Sequence, residues 1–115
     1  MKYQGSCHCG KIAFDVEGEI AGVLACNCSI CQRKGSLLWF VPREQLTLKT
    51  DPAAMSTYLF NKQIIQHHFC AHCGIHPFGE GVALNGATMA AVNVRCLDDI
   101  DLASLPVQHF DGRSG

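Results

Sequence analysis

From Lys11 to Glu17 the chain alternates, with Ile12, Phe14 and Val16 apolar and Lys11, Asp15 and Glu17 polar between them. That two-residue period is the signature of a strand with one face buried. Leu46 and Leu48 repeat the alternation within "EQLTLKT", and "SLLWFVP" reads as a short buried strand stopped by Pro42. "STYLFN" and "KQIIQHHF" predict two strands joined tightly around Asn61 and Lys62, and "GATMAAVNVRC" predicts one long strand whose alanines weaken its β tendency. Helical pattern is confined to two places. "SICQRKG" predicts one turn following Ser29 and ended by Gly35; "LDDIDLASLP", with an acidic first turn and Pro106 at its end, predicts a short helix. Phe78, Gly79 and Gly81 predict a tight or mobile loop. Short strands with frequent glycine punctuation predict a mainly β domain, a sandwich or folded sheets, with short helical turns.

The 115 residues fit one domain over 1–115, and 48% hydrophobic content is enough for a core. A net charge of -1 leaves no basic footprint for nucleic acid. The longest strongly apolar run, "LLWFV", is far short of a membrane span, and "MKYQGSCHCG" has no apolar signal core. The expectation is a soluble, cytoplasmic protein. In that compartment eight cysteines stay reduced, so metal or thiol chemistry displaces disulfides as their use.

The cysteines fall into three groups and a single. Cys7 and Cys9 form C-x-C, Cys26, Cys28 and Cys31 form C-x-C-x2-C, Cys70 and Cys73 form C-x2-C, and Cys96 stands alone. Each outer pair is followed by glycine, Gly10 or Gly74, which lets the backbone turn tightly around a metal. Joined, the outer pairs make a closed four-thiolate zinc site from Cys7, Cys9, Cys70 and Cys73. The rival is two separate pairs of buried or redox-active thiols. The central triplet then has three thiolates, the layout of a catalytic zinc with one exchangeable position. Its rival is a second structural site completed by Cys96 or a histidine.

"GSCHCGKIAFDV", "CNCSICQRKG", "FCAHCG" and "VNVRCLDD", in that order, resemble the glutathione-dependent formaldehyde-activating enzyme (GFA) family, which includes the centromere protein V-like proteins. The resemblance spans roughly residues 5 to 100. It implies a zinc-binding β-tent fold, a structural zinc on Cys7, Cys9, Cys70 and Cys73, and a catalytic zinc on Cys26, Cys28 and Cys31. The implied activity is condensation of formaldehyde with glutathione to S-hydroxymethylglutathione, a carbon–sulfur lyase type of reaction. Membership also includes non-enzymatic proteins, so a zinc-stabilised binding module and a same-fold enzyme with another substrate stand as rivals.

Three thiolates on Zn2+ carry about one negative charge, and a bound substrate thiolate adds another. Arg33 and Lys34, close behind Cys31, are the cations placed to offset that charge and to bind substrate. His76, beside the "FGEG" loop, is the first candidate for proton transfer. His8 and His72 are expected to point to solvent because the four-thiolate set is complete without them. His67 and His68 are expected on opposite strand faces, one toward a cleft and one exposed. Trp39, Phe40, Tyr58 and Phe60 are expected in the core, and Cys96 as a small buried hydrophobe.

Overall fold

A computed structural model describes residues 1–59, 65–83 and 85–111. Its strands are β1 (Lys2–Ser6), β2 (Ala13–Glu17), β3 (Val23–Cys26), β4 (Leu38–Pro42), β5 (Leu46–Leu48), β6 (Met55–Tyr58), β7 (Gln66–Cys70), β8 (Phe78–Val82), β9 (Thr88–Asn93) and β10 (Val107–Phe110). The one α-helix among the described residues, α1, is Ser29–Lys34. The protein is mainly β, as its alternation predicts.

The strands make two sheets. One has three strands in the order β1-β2-β5, and the other has seven in the order β10-β3-β4-β9-β8-β7-β6. All pairings are antiparallel except β10 with β3. Cross-strand register divides the large sheet into two faces. His68, Phe78, Val92 and Trp39 form one transverse row across β7, β8, β9 and β4; His67, Gly79, Ala91 and Phe40 form the next. Because successive strand residues point to opposite faces, these rows face opposite ways.

The first row packs toward the small sheet. Phe14, Val16 and Leu46 of that sheet join Trp39, Val41, Phe78, Ala90 and Val92 in one buried cluster. Phe14 meets Phe78 edge-on at 5.7 Å, and Tyr3 meets Trp39 the same way at 5.7 Å. Gly5 is required beneath Phe14, since a Cβ there would lie 2.5 Å from its Cζ. Phe14 is fully buried, so Phe14→Ala is expected to cost about 3–5 kcal/mol by lost burial and cavity formation. A urea midpoint unchanged by that substitution would contradict this core assignment.

Several local expectations are corrected. "SLLWFVP" is not buried on both faces: Trp39 and Val41 point inward, while Phe40 is 50% exposed on the second face. Tyr58, expected in the core, is 51% exposed on the edge strand β6. β6 and β7 pair as expected, from Met55↔Cys70 to Tyr58↔His67, but the turn around Asn61 and Lys62, and Phe60, lie outside the described residues. The long strand ends at Asn93, whose side chain accepts from the Arg95 N–H and starts a 3-10 turn over Val94–Cys96.

"LDDIDLASLP" contains no α-helix. Asp99 takes a positive φ of 57°, and Asp101 caps a short 3-10 turn, Leu102–Ser104. Ile100, Leu102 and Leu105 pack on the core from this irregular path, so tertiary burial prevails over helical pattern. "FGEGV" is strand β8 rather than a loop, and β1, β3 and β10 also form where the alternation gave no strand. No helix among the described residues is long and apolar enough to cross a membrane.

Candidate functional site

Cys7 and Cys9 lie in the β1–β2 connection, Cys70 ends β7, and Cys73 sits in the turn that follows. Gly10 and Gly74 both adopt left-handed backbone, at φ 84° and 81°, as the tight turns behind each pair require. The four sulfurs lie within 4.8 Å of one another. Cys9 Sγ is 3.5 Å from Cys70 Sγ and 3.7 Å from Cys7 Sγ. Sulfurs at about 2.3 Å from a tetrahedral zinc stand about 3.8 Å apart, whereas a disulfide needs about 2.05 Å. The spacing therefore fits a metal and not a bridge.

Backbone N–H groups point at these sulfurs: Ile12 donates to Cys7 Sγ at 3.3 Å, and His72 and Cys73 donate to Cys70 Sγ at 3.3 and 3.4 Å. Such donors stabilise thiolates. Cys73 is lowered to about 6, first by the Ile75 backbone N–H and then by that of Cys9. Cys7 and Cys70 are buried beside Ile12 in a small core of their own, while Cys73 is half-buried and Cys9 is exposed. His8 and His72 are exposed and outside the sulfur set.

The second group is built at the helix start. Cys26 ends β3, Cys28 occupies the N-cap of α1 and Cys31 lies within its first turn. The helix begins at Ser29 itself rather than after it, with Cys28 in place of Ser29 at the cap, and it ends before Gly35, whose N–H donates to Cys31 O at 3.0 Å. The three sulfurs lie within 4.8 Å of one another, and no other His, Cys, Asp or Glu ligand atom among the described residues joins the group. Cys28 N–H donates to Cys26 Sγ at 3.4 Å. Cys31 is pushed up to about 12, by burial first and then by Cys28 and Cys26. Three sulfurs crowded this way resist ionising together, and a cation among them would let all three be thiolates. Both groups are all-sulfur donor sets of the kind that suits zinc.

Cys96 does not close the triplet. Its Sγ lies 3.6 Å from Asn93 Nδ2 and 3.9 Å from the His76 carbonyl oxygen, and the thiols it feels are Cys7 and Cys73. It is half-buried rather than a core residue.

The triplet faces a cavity of about 250 Å³, walled by apolar side chains such as Leu38, Phe40 and Phe110, with Lys34, His67 and His76 as its basic groups. An open groove of about 740 Å³ lies outside it, lined by Arg33, Tyr58 and Phe69. Ile30, Lys34 and His76 border both spaces. Burial lowers the Lys34 pKa, while the Cys31 and Cys28 thiolates pull it back up. Arg33 donates from Nη1 to Ser29 O at 2.9 Å and belongs to the outer groove, not to the cavity.

His76 stacks on Phe69 with ring centroids 5.3 Å apart, and its Nδ1 is buried with no hydrogen-bond partner among the described residues. Burial, then the Lys34 charge, lowers its pKa, so the ring is neutral at pH 7. His67 and His68 do face opposite ways, but both are only 7% exposed, correcting the expectation that one meets solvent. β7 is covered on both faces, by the cavity walls and by the core. His67 is lowered to about 4, by burial first and then by Lys34, His76 and His68. His68 Nδ1 and Thr57 Oγ1 share a hydrogen bond at 2.9 Å, and His68 Nε2 lies 3.3 Å from Glu80 Oε1. Burial lowers its pKa despite Glu80, so this contact joins a neutral imidazole to a carboxylate. His67, as a cavity residue, was within reach of the alternation argument; Phe110 was not, because nothing local marks β10 as a neighbour of Cys26.

A family profile described as glutathione-dependent formaldehyde-activating enzyme matches residues 2–110. A Fusarium vanettenii protein carrying that family name is 28% identical over 83 residues, which is 68% of this chain and 44% of the relative. A Penicillium rubens protein of the same name is 28% identical over 79 residues, 64% of this chain and 41% of that protein. The matched stretch is thus less than half the length of either relative. A crystal structure of a Rhodobacter sphaeroides protein superposes with a TM-score of 0.78 at 26% identity, covering 94% of this chain and 100% of that one. With the family profile spanning nearly all of its residues, this chain belongs to the glutathione-dependent formaldehyde-activating enzyme family.

Proposed function

We propose that the chain holds two zinc ions, one structural on Cys7, Cys9, Cys70 and Cys73 and one catalytic on Cys26, Cys28 and Cys31. With them it catalyses reversible addition of the glutathione thiol to formaldehyde. The observation that carries this reading is the contrast between the two sulfur groups: one is a complete set of four with Cys7 and Cys70 buried beside Ile12, the other has three sulfurs and borders a cavity beside Lys34 and His76. Zinc on three thiolates supplies, when bound, a Lewis-acidic position suited to a soft sulfur ligand, whose thiol pKa it lowers.

The chain's own side chains do the rest. In the addition a C–S bond forms, the carbonyl π bond opens, and the thiol proton ends on the former carbonyl oxygen. The reverse step is a carbon–sulfur lyase reaction, and neither direction consumes an oxidant. His76, a neutral imidazole whose residue borders both cavity and groove, accepts the thiol proton and returns it to the oxygen. The Lys34 ammonium offsets the excess negative charge of the sulfurs. Arg33 and Lys34 offer the outer groove cations for the carboxylates of glutathione. The apolar walls keep bulk water from the carbonyl carbon. Free thiols at both groups suit a reducing compartment such as the cytoplasm.

Exchange NMR between formaldehyde and glutathione tests this, with the uncatalysed rate subtracted. Zinc-loaded protein is expected to accelerate exchange, and His76→Gln to reduce the acceleration about 100-fold with zinc content unchanged. Full acceleration in His76→Gln removes that residue from the mechanism. No acceleration, alongside thiol-induced changes in the spectrum of cobalt-substituted protein, identifies a binding module without turnover.

A further inference from the structure

The cavity at the triplet does not end where a one-carbon aldehyde would. Phe40, Ile65 and Ala91 are walls of that cavity and also walls of a second groove, of about 530 Å³, that continues over β8 and β9 to Gly81, Val82 and Met89. An aliphatic cavity of about 150 Å³ already accepts benzene. The roughly 250 Å³ beside the sulfurs therefore exceeds what a hydroxymethyl group fills, even before the groove is counted.

The floor of this extension is paved with the smallest residues of the sheet. Register places Gly79 opposite Ala91 and Gly81 opposite Met89, with both glycines on the cavity face. Gly79 has a backbone reason: a Cβ there would lie 3.0 Å from Gln66 O. Gly81 has none. Among the described residues a Cβ at 81 would meet only Ile65 Cγ1, at 3.6 Å, an ordinary contact, and its φ is not left-handed. The backbone tolerates a side chain at 81; what the glycine provides is open space above the strand. The groove is also without a free charge among its described walls. Glu80 borders it, but Glu80 Oε1 is engaged by Arg43 Nε at 3.1 Å and lies 3.3 Å from His68 Nε2.

We propose that cavity and groove form one acceptor for an unbranched apolar chain of about five to eight carbons, borne on the carbon that bonds to sulfur. The substrate class is then an adduct of a thiol with a medium-chain aliphatic aldehyde, the thiol's polar part lying toward Arg33 and Lys34 and the alkyl chain toward Gly81 and Met89. The identity of the thiol rests on the function proposed above; the alkyl site does not. Bond changes are those of the formaldehyde reaction: C–S forms, the carbonyl π bond opens, and the thiol proton moves to oxygen.

Isothermal titration of the zinc-loaded full chain reads binding independently of turnover. Each fully buried methylene is a factor of about four in affinity, and the groove is open along one side. S-hexylglutathione is therefore expected to bind at least about tenfold more tightly than S-methylglutathione. Gly81→Leu, which fills the groove, is expected to abolish that gain while S-methylglutathione affinity stays within about twofold. Should Gly81→Leu fail to fold, Met89→Ser, opposite Gly81 on the same face, strips one apolar wall and is expected to cut the gain about threefold. Equal affinity for the two ligands, or a gain that survives in a folded Gly81→Leu protein, overturns the proposal. Hexanethiol and ethanethiol separate the two readings: a chain-length gain with these while S-alkylglutathiones fail to bind supports the alkyl site and counts against glutathione. Failure of both series to bind overturns the alkyl site, while the exchange experiment decides the formaldehyde reaction separately.

Discussion

Cys70→Ser is expected to leave a chain that does not keep its fold. Cys70 is 1% exposed, and its sulfur stands 3.5 Å from that of Cys9, a residue 61 positions earlier. The sulfur also receives the His72 and Cys73 N–H groups. Through it the β1–β2 connection of the small sheet is tied to β7 of the large one. Serine is a shorter, harder and less readily ionised donor, so three thiolates remain and the zinc is lost or weakly held. Structural zinc contributes on the order of 10 kcal/mol to small domains, as much as a whole domain's net stability. A loss of at least ~4 kcal/mol is therefore expected, seen as loss of the cooperative urea transition. Stripping wild-type protein with a strong chelator is expected to reproduce it. A folded Cys70→Ser protein with the wild-type urea midpoint would show that the four-sulfur group is not a stabilising metal site.

Cys28→Ser is expected to do the reverse, abolishing chemistry and sparing the fold. Cys28 is half-buried and holds the N-cap of α1 without a side-chain capping bond. Serine is among the preferred N-cap residues, so the helix start is kept or improved. What is lost is a ready thiolate. Burial, the largest single influence on Cys28, is outweighed by the Cys31 backbone N–H, the Cys31 and Cys26 side chains and the Ile30 N–H, and its pKa is lowered. A hydroxyl in its place does not ionise, and two thiolates do not hold zinc in an open site. Zinc per chain is expected to fall from two to one, and the catalysed exchange by at least about 1,000-fold, with the urea midpoint unchanged. Equal zinc content in folded wild-type and variant protein would sink the assignment of the triplet as a metal site.

How much of this was legible varied with the range of the interaction. The partition of the sulfurs could be read because each group is local: C-x-C, C-x-C-x2-C and C-x2-C are contiguous, and Gly10 and Gly74 mark the turns behind the pairs. Phe14 and Val16 could be read as core because alternation beside charged residues leaves one face for water. β8 could not, because "FGEGV" has the glycine content of a loop and gains its strand only by pairing on both edges with β7 and β9. β10, exposed along its whole length, likewise carries no hydrophobic signal and exists through its parallel pairing with β3.

The histidines make the same point from the site. Period-two alternation places His67 and His68 on opposite faces, but it says nothing of what covers each face, and both are buried. Arg33 and Lys34 are neighbours in the chain, yet only Lys34 borders the thiolate cavity, because the helix turns Arg33 back toward Ser29 O.

The chain's own order of residues determined the mainly β character, the three sulfur groups and the family, all of which rest on patterns a few residues long. Tertiary structure alone decided that Cys96 stands apart from the triplet, that a cavity opens on three of the sulfurs, and that Gly81 leaves that cavity room to continue. Those facts depend on which strands lie side by side and in what register, and that is settled by the burial of the whole core rather than by any segment on its own.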